Sequence, residues 1–349
     1  MQQLPNLTSL RFILAVLVIL FHIPGFFLKR GITSSFDFSI FLNGNESVWL
    51  FFSLSGFLII KQLNDEKKST NTINLIRFLK KRILRIFPLY YLILIYGLIH
   101  YHVIRPKLGF ESDFSYDISE AILLNFTFFS NIFRVNSPGI VLEILWSIGI
   151  EEQFYILIAP LFFLLPKSKI KTTLISITIA YLLLFTSTIF PFLKEYRMYF
   201  FFFTFSGLCA IYLEKTNFNK LFSYPIYFVT LTYFLSNCFK NNLNENQYLI
   251  FSMILFGLFL TVLSKKSIPL LENSILKYLG TISYGIYMFH AIAMQIIGYV
   301  FIKLNLQLQI SKVFHIISYT FLVMVLTIIM AHFSYKYYES FFLKFKKST

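Results

Sequence analysis

The stretch LRFILAVLVILFHIPGFF, residues 10–27, decides the fold because it is about long and apolar enough to enter a lipid bilayer. It contains two ionisable residues, Arg11 and His22, which stand eleven positions apart. At about 100° per residue, this spacing returns both side chains to nearly the same face of a helix. An ionisable residue inside the hydrocarbon layer is costly and is therefore a functional candidate. The alternative is a neutral His22 that hydrogen-bonds a neighbouring helix.

The composition extends this conclusion to the whole chain of 349 residues. Hydrophobic residues make up 57% of the chain and charged residues only 13%, whereas soluble domains contain about a quarter charged residues. Apolar runs recur from end to end, so we expect one all-α, polytopic integral membrane domain over residues 1–349, with a retained first span. About ten transmembrane helices are predicted, at roughly residues 10–28, 48–60, 86–104, 141–165, 174–191, 199–213, 222–237, 247–264, 278–302 and 312–335.

The net charge of +15 is distributed as in an oriented membrane protein. Most Lys and Arg residues fall in alternate loops, including 61–85, which predicts that both termini are cytoplasmic and that nucleic acid is not a partner. The segment 118–133 carries Glu120, Asn125 and Asn131 and would be a poor full span. We therefore expect a half-inserted or surface helix there, on the outer side.

The densest positive patch is RFLKKRILRIFPLYYL, residues 77–92. Arg77, Lys81 and Arg85 recur every four positions, and Arg82 adds a fourth charge to this basic helical face, which is expected to end at Pro88. Such a run is usually an orientation signal that also attracts anionic headgroups. Arginine also suits phosphate binding, so a phosphate-rich cofactor arriving from the cytosol would dock here.

A polar stripe runs along the span that contains LWSIGIEEQFY, residues 145–155. Glu143, Ser147 and Glu151 recur every four positions, and Glu152 points about 100° away from them. A carboxylate can hold the tautomer of a histidine and stabilise its protonated form, so Glu151 or Glu152 is predicted to work with His22. The rival interpretation places the two carboxylates at the outer interface, hydrated by water.

The other candidate groups give weaker signals. His290 lies deep in the run SYGIYMFH, one turn after Tyr287, and each lone histidine is more often a hydrogen-bonded bundle residue than a catalytic one. The two cysteines, Cys209 and Cys238, show no metal or disulfide spacing, and no zinc motif occurs. The sequence therefore predicts no metal site.

Six blocks in order along nearly the whole chain resemble acyltransferase family 3, a group of membrane-bound O-acyltransferases. The blocks are LTSLRFILAVLVILFH, FFSLSGFLI, RILRIFPLYY, LWSIGIEEQFYILIAPLFF, SYGIYMFH and YKYYESFF. The resemblance implies transfer of an acyl group, usually acetyl from acetyl-coenzyme A, to a hydroxyl of an extracytoplasmic glycan or glycolipid. It also implies a multi-pass protein of the bacterial cytoplasmic membrane.

The resemblance also implies roles for particular residues. Arg11 and His22 match the arginine and histidine that the family needs, and His22 with Glu151 or Glu152 would form the acyl-transfer centre. Arg82 and Arg85, with Arg11, would bind the coenzyme. The further candidates for substrate binding are His290, Tyr287 and Trp146.

The departures from the family pattern leave this chemistry in place. Thr8 and Ser9 stand where the family commonly has Asp-Gly, and Glu339 is followed by Ser340 instead of proline. Many relatives carry a soluble esterase-like domain after the last span, and we expect a stand-alone form here because the sequence stops at Thr349.

Two other classes of function compete with the enzyme. A flippase for a lipid-linked glycan would also have many spans and buried charges, although paired halves with matched broken helices are not evident. A structural assembly subunit would use its polar stripes for helix packing. The acceptor hydroxyl, the identity of the acyl group and the oligomeric state stay open at this stage.

Overall fold

A computed structural model describes residues 4–28, 39–109, 116–304 and 312–345, and the regular elements within these ranges are helices. In chain order, the helices of four or more residues are α1 (Leu7–Leu28), α2 (Gly44–Thr70), α3 (Leu75–Ile99), α4 (Ile118–Phe126), α5 (Ser130–Phe133), α6 (Ile140–Glu143), α7 (Leu145–Leu164), α8 (Lys167–Thr186), α9 (Phe192–Glu195), α10 (Phe200–Tyr212), α11 (Lys220–Leu235), α12 (Cys238–Asn242), α13 (Glu245–Leu263), α14 (Ser274–Thr281), α15 (Ser283–Lys303), α16 (Lys312–Phe333) and α17 (Ser340–Lys344). Wider π-helical turns follow α3, at His100–Ile104, and α16, at Ser334–Glu339.

The helices confirm an all-α, multi-pass membrane protein. Among the described residues, eight helical segments are long and apolar enough to cross a bilayer, and they correspond to α1, α2, α3 with its extension to Lys107, α6 with α7, α8, α13, α15 and α16 with its extension to Lys344. The other two predicted spans are α10 and α11, which have 13 and 16 residues, whereas a helix needs about 20 to span. The count of ten spans and the cytoplasmic termini stay predictions.

The chain divides into two compact units, each assembled from two separate segments. The first unit contains Met1–Leu58 and Phe205–Ser334, and the second contains Ile59–Thr204 and Tyr335–Thr349. His22 and His290 therefore belong to the first unit, whereas Arg82 and the Glu151–Glu152 pair belong to the second.

In the first unit, Asn6 ties the start of α1 to the connection between α13 and α14. Its side-chain amide donates to the carbonyls of Leu263 (2.7 Å) and Lys266 (2.8 Å) and accepts from the Ile268 amide at 2.9 Å. Its own amide donates to Glu272 Oε1 at 2.5 Å. These bonds use the polar atoms of a residue that is 2% exposed, so they fix the axis of α1 at its first turn.

At the other end of α1, aromatic rings fill the space between α1, α15 and α16. Phe27 lies 4.8 Å from Tyr319 and 5.2 Å from His315, and Phe301 stacks on His315 at 5.0 Å between ring centroids. A Cβ atom at Gly298 would overlap the ring of Phe26, so glycine permits this close approach of α15 to α1. The packing holds the histidine-bearing faces of α1 and α15 together.

In the second unit, α3 continues through Pro88, so the prediction that the helical face ends there is wrong. Proline removes one backbone donor, and its ring opposes the carbonyl of the preceding turn. Such interruptions are tolerated in transmembrane helices because neighbouring groups satisfy the freed backbone atoms. The Tyr338 hydroxyl donates to the carbonyl of Pro88 itself at 3.1 Å.

The charged stretch 61–85, predicted as a connection between spans with a basic helical face from Arg77, is helical over nearly all of its length. α2 extends to Thr70 and α3 begins at Leu75, so only residues 71–74 form the turn between them. Lys61 and Asp65 pair at 3.2 Å across one helical turn, and Asn74 caps α3 by accepting from the Arg77 amide at 2.9 Å. Hydropathy predicts that a helix ends where its apolar residues end. Here the Lys61–Asp65 ion pair and the Asn74 cap stabilise helical turns of α2 and α3 that lie beyond the apolar residues.

The segment 118–133, for which one half-inserted or surface helix is predicted, forms two short helices, α4 and α5. They are joined at Phe128, whose φ of 62° lies in the left-handed region. The segment packs against α7, where a Cβ atom at Gly149 would lie 2.6 Å from the Phe128 carbonyl oxygen. Gln153 on α7 donates to that same carbonyl at 2.8 Å, so Gly149 and Gln153 together position the joint.

Candidate active site

Two histidines meet inside the first unit. His22 on α1 and His290 on α15 have ring centroids 5.3 Å apart, with the ring planes inclined by 32°. His290 is fully buried, and His22 is half-buried. Two imidazoles in contact in an apolar setting do not both carry a positive charge, because like charges repel strongly there. The pair can therefore hold one extra proton at a time.

The tautomer of His290 follows from its single hydrogen bond. Nδ1 lies 2.5 Å from the carbonyl oxygen of Tyr287, and a carbonyl can only accept, so Nδ1 carries the proton. Nε2 is then an unprotonated acceptor, and it is buried without a hydrogen-bond partner among the described residues. The Tyr287 ring lies 5.7 Å from the His290 ring. The structure thus brings together His22 and two of the three predicted substrate-binding residues.

Arg11 shares α1 with His22 and is half-buried. The eleven-residue separation corresponds to roughly 16 Å along the helix axis. Arg11 is therefore more than two helical turns from the histidine pair, at the end of α1 that Asn6 anchors. The helix confirms that both residues belong to one continuous segment, as the sequence pattern predicts.

In the second unit, Arg82 lies within an aromatic and acidic cluster. Its guanidinium carbon lies 5.4 Å from the centroid of the Tyr155 ring and 5.5 Å from that of Phe78, and Nη2 donates to Gln62 Oε1 at 3.2 Å. Arg85, one turn away on α3, lies within electrostatic range of Arg82. The guanidinium is therefore held by cation–π contacts and a hydrogen bond on α2, α3 and α7.

The two adjacent glutamates of α7 have different surroundings. Glu151 accepts a hydrogen bond from the Tyr155 hydroxyl at 2.8 Å. Glu152 is 3% exposed, and its Oε1 has no hydrogen-bond partner among the described residues. Both carboxylates lie within electrostatic range of Arg82, which partly compensates their charge. The structure therefore joins Arg82, Arg85 and both glutamates, the predicted coenzyme and acid groups, in one cluster, which we call the Arg82 cluster.

The predicted polar stripe of α6 and α7 does not lie in one environment, because Glu143 and Glu151 have different neighbours. Glu143 lies in α6, before the tightened turn at Ile144, and its Oε1 is 4.0 Å from Arg134 Nη1. Trp146, the third predicted substrate-binding residue, lies beneath Arg197, whose guanidinium carbon is 5.0 Å from the ring. Neither Glu143 nor Trp146 is part of the Arg82 cluster. The predicted pairing of His22 with Glu151 or Glu152 joins residues of different units and stays a prediction.

Sequence reasoning missed four residues that contact or flank these groups. Gln62 and Tyr155 contact Arg82, Arg197 lies over Trp146, and Arg134 lies near Glu143. Tyr155 had a visible signal, since it stands four positions after Glu151 on the same helix face. The other three are contacts between helices, which no local pattern encodes. Among the described residues, no group of three or more His, Cys, Asp or Glu could hold a metal ion.

Comparison with known proteins identifies a family over almost the entire chain. The model of acyltransferase family 3, described as an acyltransferase domain, matches residues 4–332. This range includes α1 to α15, most of α16 and every predicted site residue.

Several curated proteins are similar to the chain. O-acetyltransferase OatA of Staphylococcus aureus is 30% identical over 158 residues, which are 45% of this chain and 24% of that protein. Peptidoglycan O-acetyltransferase OatA of Listeria monocytogenes is 28% identical over 177 residues, 49% of this chain and 26% of that protein. The candidate acetyltransferase ORF330 of Acidianus two-tailed virus is 25% identical over 295 residues, 79% of this chain and 81% of that protein. The chain thus spans about a quarter of the OatA proteins, and no solved structure matches it.

Proposed function

The chain belongs to acyltransferase family 3, and from that premise we propose that it is a membrane-bound O-acyltransferase that acylates a hydroxyl of an extracytoplasmic glycan. The family match over residues 4–332 is the observation that carries the reaction class. The OatA proteins are named as O-acetyltransferases, and the Listeria protein as acting on peptidoglycan, which supports acetyl as the group and a glycan as the acceptor.

His22 is the proposed general base. It takes the proton of the acceptor hydroxyl as that oxygen attacks the thioester carbonyl, the carbon–sulfur bond breaks, and the proton is then returned to the leaving thiolate. The neighbouring His290 supports this role because its Nδ1 proton is committed to the Tyr287 carbonyl. Because two contacting imidazoles in an apolar setting do not both carry a charge, His290 is neutral when His22 becomes charged, and its contact with the His22 ring restricts the orientation of the base.

The Arg82 cluster is the proposed binding region for the acyl donor. Arg85 is half-buried one turn from Arg82, and the two arginines could hold the phosphates of acetyl-coenzyme A. The Arg82 guanidinium is already engaged by Tyr155, Phe78 and Gln62, so its position is fixed before the donor arrives. A fixed arginine loses little conformational entropy on binding, which favours affinity.

The test is a transfer assay with the full chain in liposomes. Labelled acetyl-coenzyme A and a soluble glycan acceptor are supplied, and both label on the glycan and free coenzyme thiol are measured. We expect wild type to release thiol and to label the glycan, and His22→Ala to do neither while inserting normally.

A matched control removes a histidine outside the pair. His332→Gln alters a histidine on α16 whose ring contacts Tyr278, and it should leave turnover unchanged. Thiol release by His22→Ala at the wild-type rate would disprove the base assignment. Absence of thiol release from wild type with any acyl donor, together with glycan movement across the bilayer, would instead identify a flippase.

A further inference from the structure

The second unit contains a group of arginines at the end of α3 that lies away from the Arg82 cluster. Arg134 follows α5, and Arg197 lies in the turn between α9 and α10. The two are within electrostatic range of each other, and the nearby carboxylate is Glu143, 4.0 Å from Arg134 Nη1. Arg105, beyond the last turn of α3, lies over the Tyr101 ring at 5.8 Å and adds a third positive charge to this end of the unit.

Membrane orientation does not account for these arginines. The orientation signal of this unit is the basic run at the start of α3, which contains Arg77, Arg82 and Arg85. α3 has 25 residues, a length of roughly 37 Å, and Arg105 comes after its last residue. Arginines at the two ends of one spanning helix favour opposite orientations in the membrane. The arginines near the C-terminal end of α3 therefore have a role other than orientation.

Arg134 is poised to accept an additional partner. Its side chain is 19% exposed, and its Nε is buried without a hydrogen-bond partner among the described residues. The contact with Glu143 is long, at 4.0 Å between Nη1 and Oε1, and the Glu143 side chain is 34% exposed. Burial and the neighbouring Arg197 lower the pKa of Arg134, which shows that positive charge is crowded there. An oxyanion bound to the exposed part of the guanidinium would relieve the repulsion between the two arginines.

Arg197 is held in an unfavourable backbone conformation. Its φ of 52° lies in the left-handed region, which favours glycine over arginine. The turn is fixed from both sides, because Asn131 Nδ2 donates to the Tyr196 carbonyl at 3.0 Å and the Tyr181 hydroxyl donates to the Met198 carbonyl at 2.8 Å. Glycine would be less strained at this position, yet the chain has an arginine there, and its guanidinium lies over the face of Trp146. We infer that the Arg197 side chain has a binding role that offsets the backbone strain.

We propose that Arg134, Arg197 and Trp146 form an acceptor subsite that binds an oxyanion, a carboxylate or a phosphate, carried by the glycan. This inference rests on the proposed function, because it assigns the acceptor's side of that reaction. Two arginines and one glutamate leave a net charge of about +1, which matches a single anionic group. Trp146 stands five and six positions before Glu151 and Glu152, about 8 Å along the axis of α7, so the proposed subsite and the acidic residues of the Arg82 cluster share one helix.

Three soluble glycosides that differ at one position test the proposal with the full chain in liposomes of zwitterionic lipid. One carries a carboxylate, one a phosphate and one a neutral hydroxymethyl group. We expect the charged acceptors to have a KM at least about tenfold lower than the neutral one, as is typical of a charge-assisted arginine contact. Equal KM values for all three would overturn the proposal while leaving the O-acyltransferase activity intact.

Variants separate binding from folding. Arg197→Gly removes the side chain and relieves the strained φ, so it should retain or raise the melting temperature while abolishing the preference for charged acceptors. Arg134→Gln should also abolish the preference, whereas Lys169→Gln, which removes an exposed charge elsewhere in the unit, should not. Preference retained by Arg197→Gly would overturn the assignment even if Arg134→Gln fails to fold.

A binding measurement distinguishes failure of this inference from failure of the proposed function. Binding of the labelled carboxylate glycoside is measured on His22→Ala, which keeps the subsite. Binding that Arg197→Gly removes would support the subsite even if wild type transfers no acyl group. If anionic lipid added to the liposomes abolishes that binding, the arginines bind lipid headgroups, and the glycan assignment is overturned.

Discussion

The Tyr155 side chain contacts Glu151 and Arg82 through different parts of the same residue. Its hydroxyl donates to Glu151 Oε1 at 2.8 Å, and its ring lies 5.4 Å from the Arg82 guanidinium carbon. Tyr155 thus holds two charged groups of the Arg82 cluster in position. Glu151 lies four residues before it on α7, and Arg82 lies on the neighbouring helix α3. This arrangement allows the two contacts to be removed one at a time.

Tyr155→Phe should leave donor binding almost unchanged, whereas Tyr155→Leu should weaken it. The phenylalanine keeps the ring beneath Arg82, and cation–π contacts of this kind contribute about 0.5–2 kcal/mol, so the leucine variant should raise the KM for acetyl-coenzyme A several-fold. Steady-state kinetics with varied donor concentration measures both. Equal effects of the two substitutions would show that the hydroxyl, not the ring, supports Arg82.

Gly149→Ala should destabilise the protein. The added Cβ would meet the Phe128 carbonyl oxygen and Ser130 Oγ, each at 2.6 Å, and overpacking of this kind costs about 1–3 kcal/mol. Thermal unfolding in detergent should show a lower melting temperature. Gly25→Ala is the matched control, because a Cβ there meets no atom within 4 Å and α1 should be unaffected or slightly stabilised.

Folding stability should fall at acidic pH through Glu272. Hydrogen bonds from Lys277 and from the Asn6 amide favour the charged carboxylate, so the pKa of Glu272 is lowered from its ordinary value of 4.5. Because the pKa of Glu272 is lower in the folded than in the unfolded protein, the charged carboxylate stabilises the fold at any pH above the pKa of the unfolded state. This stabilisation is lost as the pH falls through the pKa of Glu272 in the folded state.

Melting temperatures of wild type and Glu272→Gln, measured from about pH 7 to about pH 3, test this expectation. The variant should be less stable at neutral pH and should show a smaller acid-induced decrease. Parallel curves for the two proteins would exclude Glu272 as a source of the acid sensitivity.

His22 and Glu152 should behave as one catalytic group if the predicted pairing is correct. Residues that act together lose activity non-additively, so His22→Ala with Glu152→Gln should be no slower than the worse single variant. Rates of thiol release from acetyl-coenzyme A give the comparison. Multiplicative losses would mean that the two side chains act independently, and Glu152 would then belong to donor binding alone.

The sequence predicted those features that hydropathy and helical spacing encode. Apolar length located the eight spanning helices, and the eleven-residue spacing of Arg11 and His22 placed both on α1. Helix ends were predicted less well, because α2 continues to Thr70 through polar residues, including the Lys61–Asp65 ion pair, which hydropathy does not count as part of a span. Pro88 was interpreted as the end of the basic helical face because proline lacks a backbone donor, yet α3 continues to Ile99.

The site was predicted as residue types and not as contacts. His290 looked like a lone bundle histidine, since its partner, His22, is 268 positions away in the chain. Arg134 and Arg197 gave no periodic signal, because both lie in short connections, and the turn of Arg197 is fixed by Asn131 and Tyr181 from other elements. Such contacts require the tertiary structure.

The bond between Tyr338 and Pro88 has a consequence for biogenesis. The second unit needs Tyr335–Thr349, yet the ribosome makes the whole of Phe205–Ser334 before that segment emerges. Residues 59–204 are therefore synthesised before the Tyr338 hydroxyl is available to the Pro88 carbonyl. A stop codon shortly after Ser334 would leave the second unit without its last segment and without the Tyr338 hydroxyl.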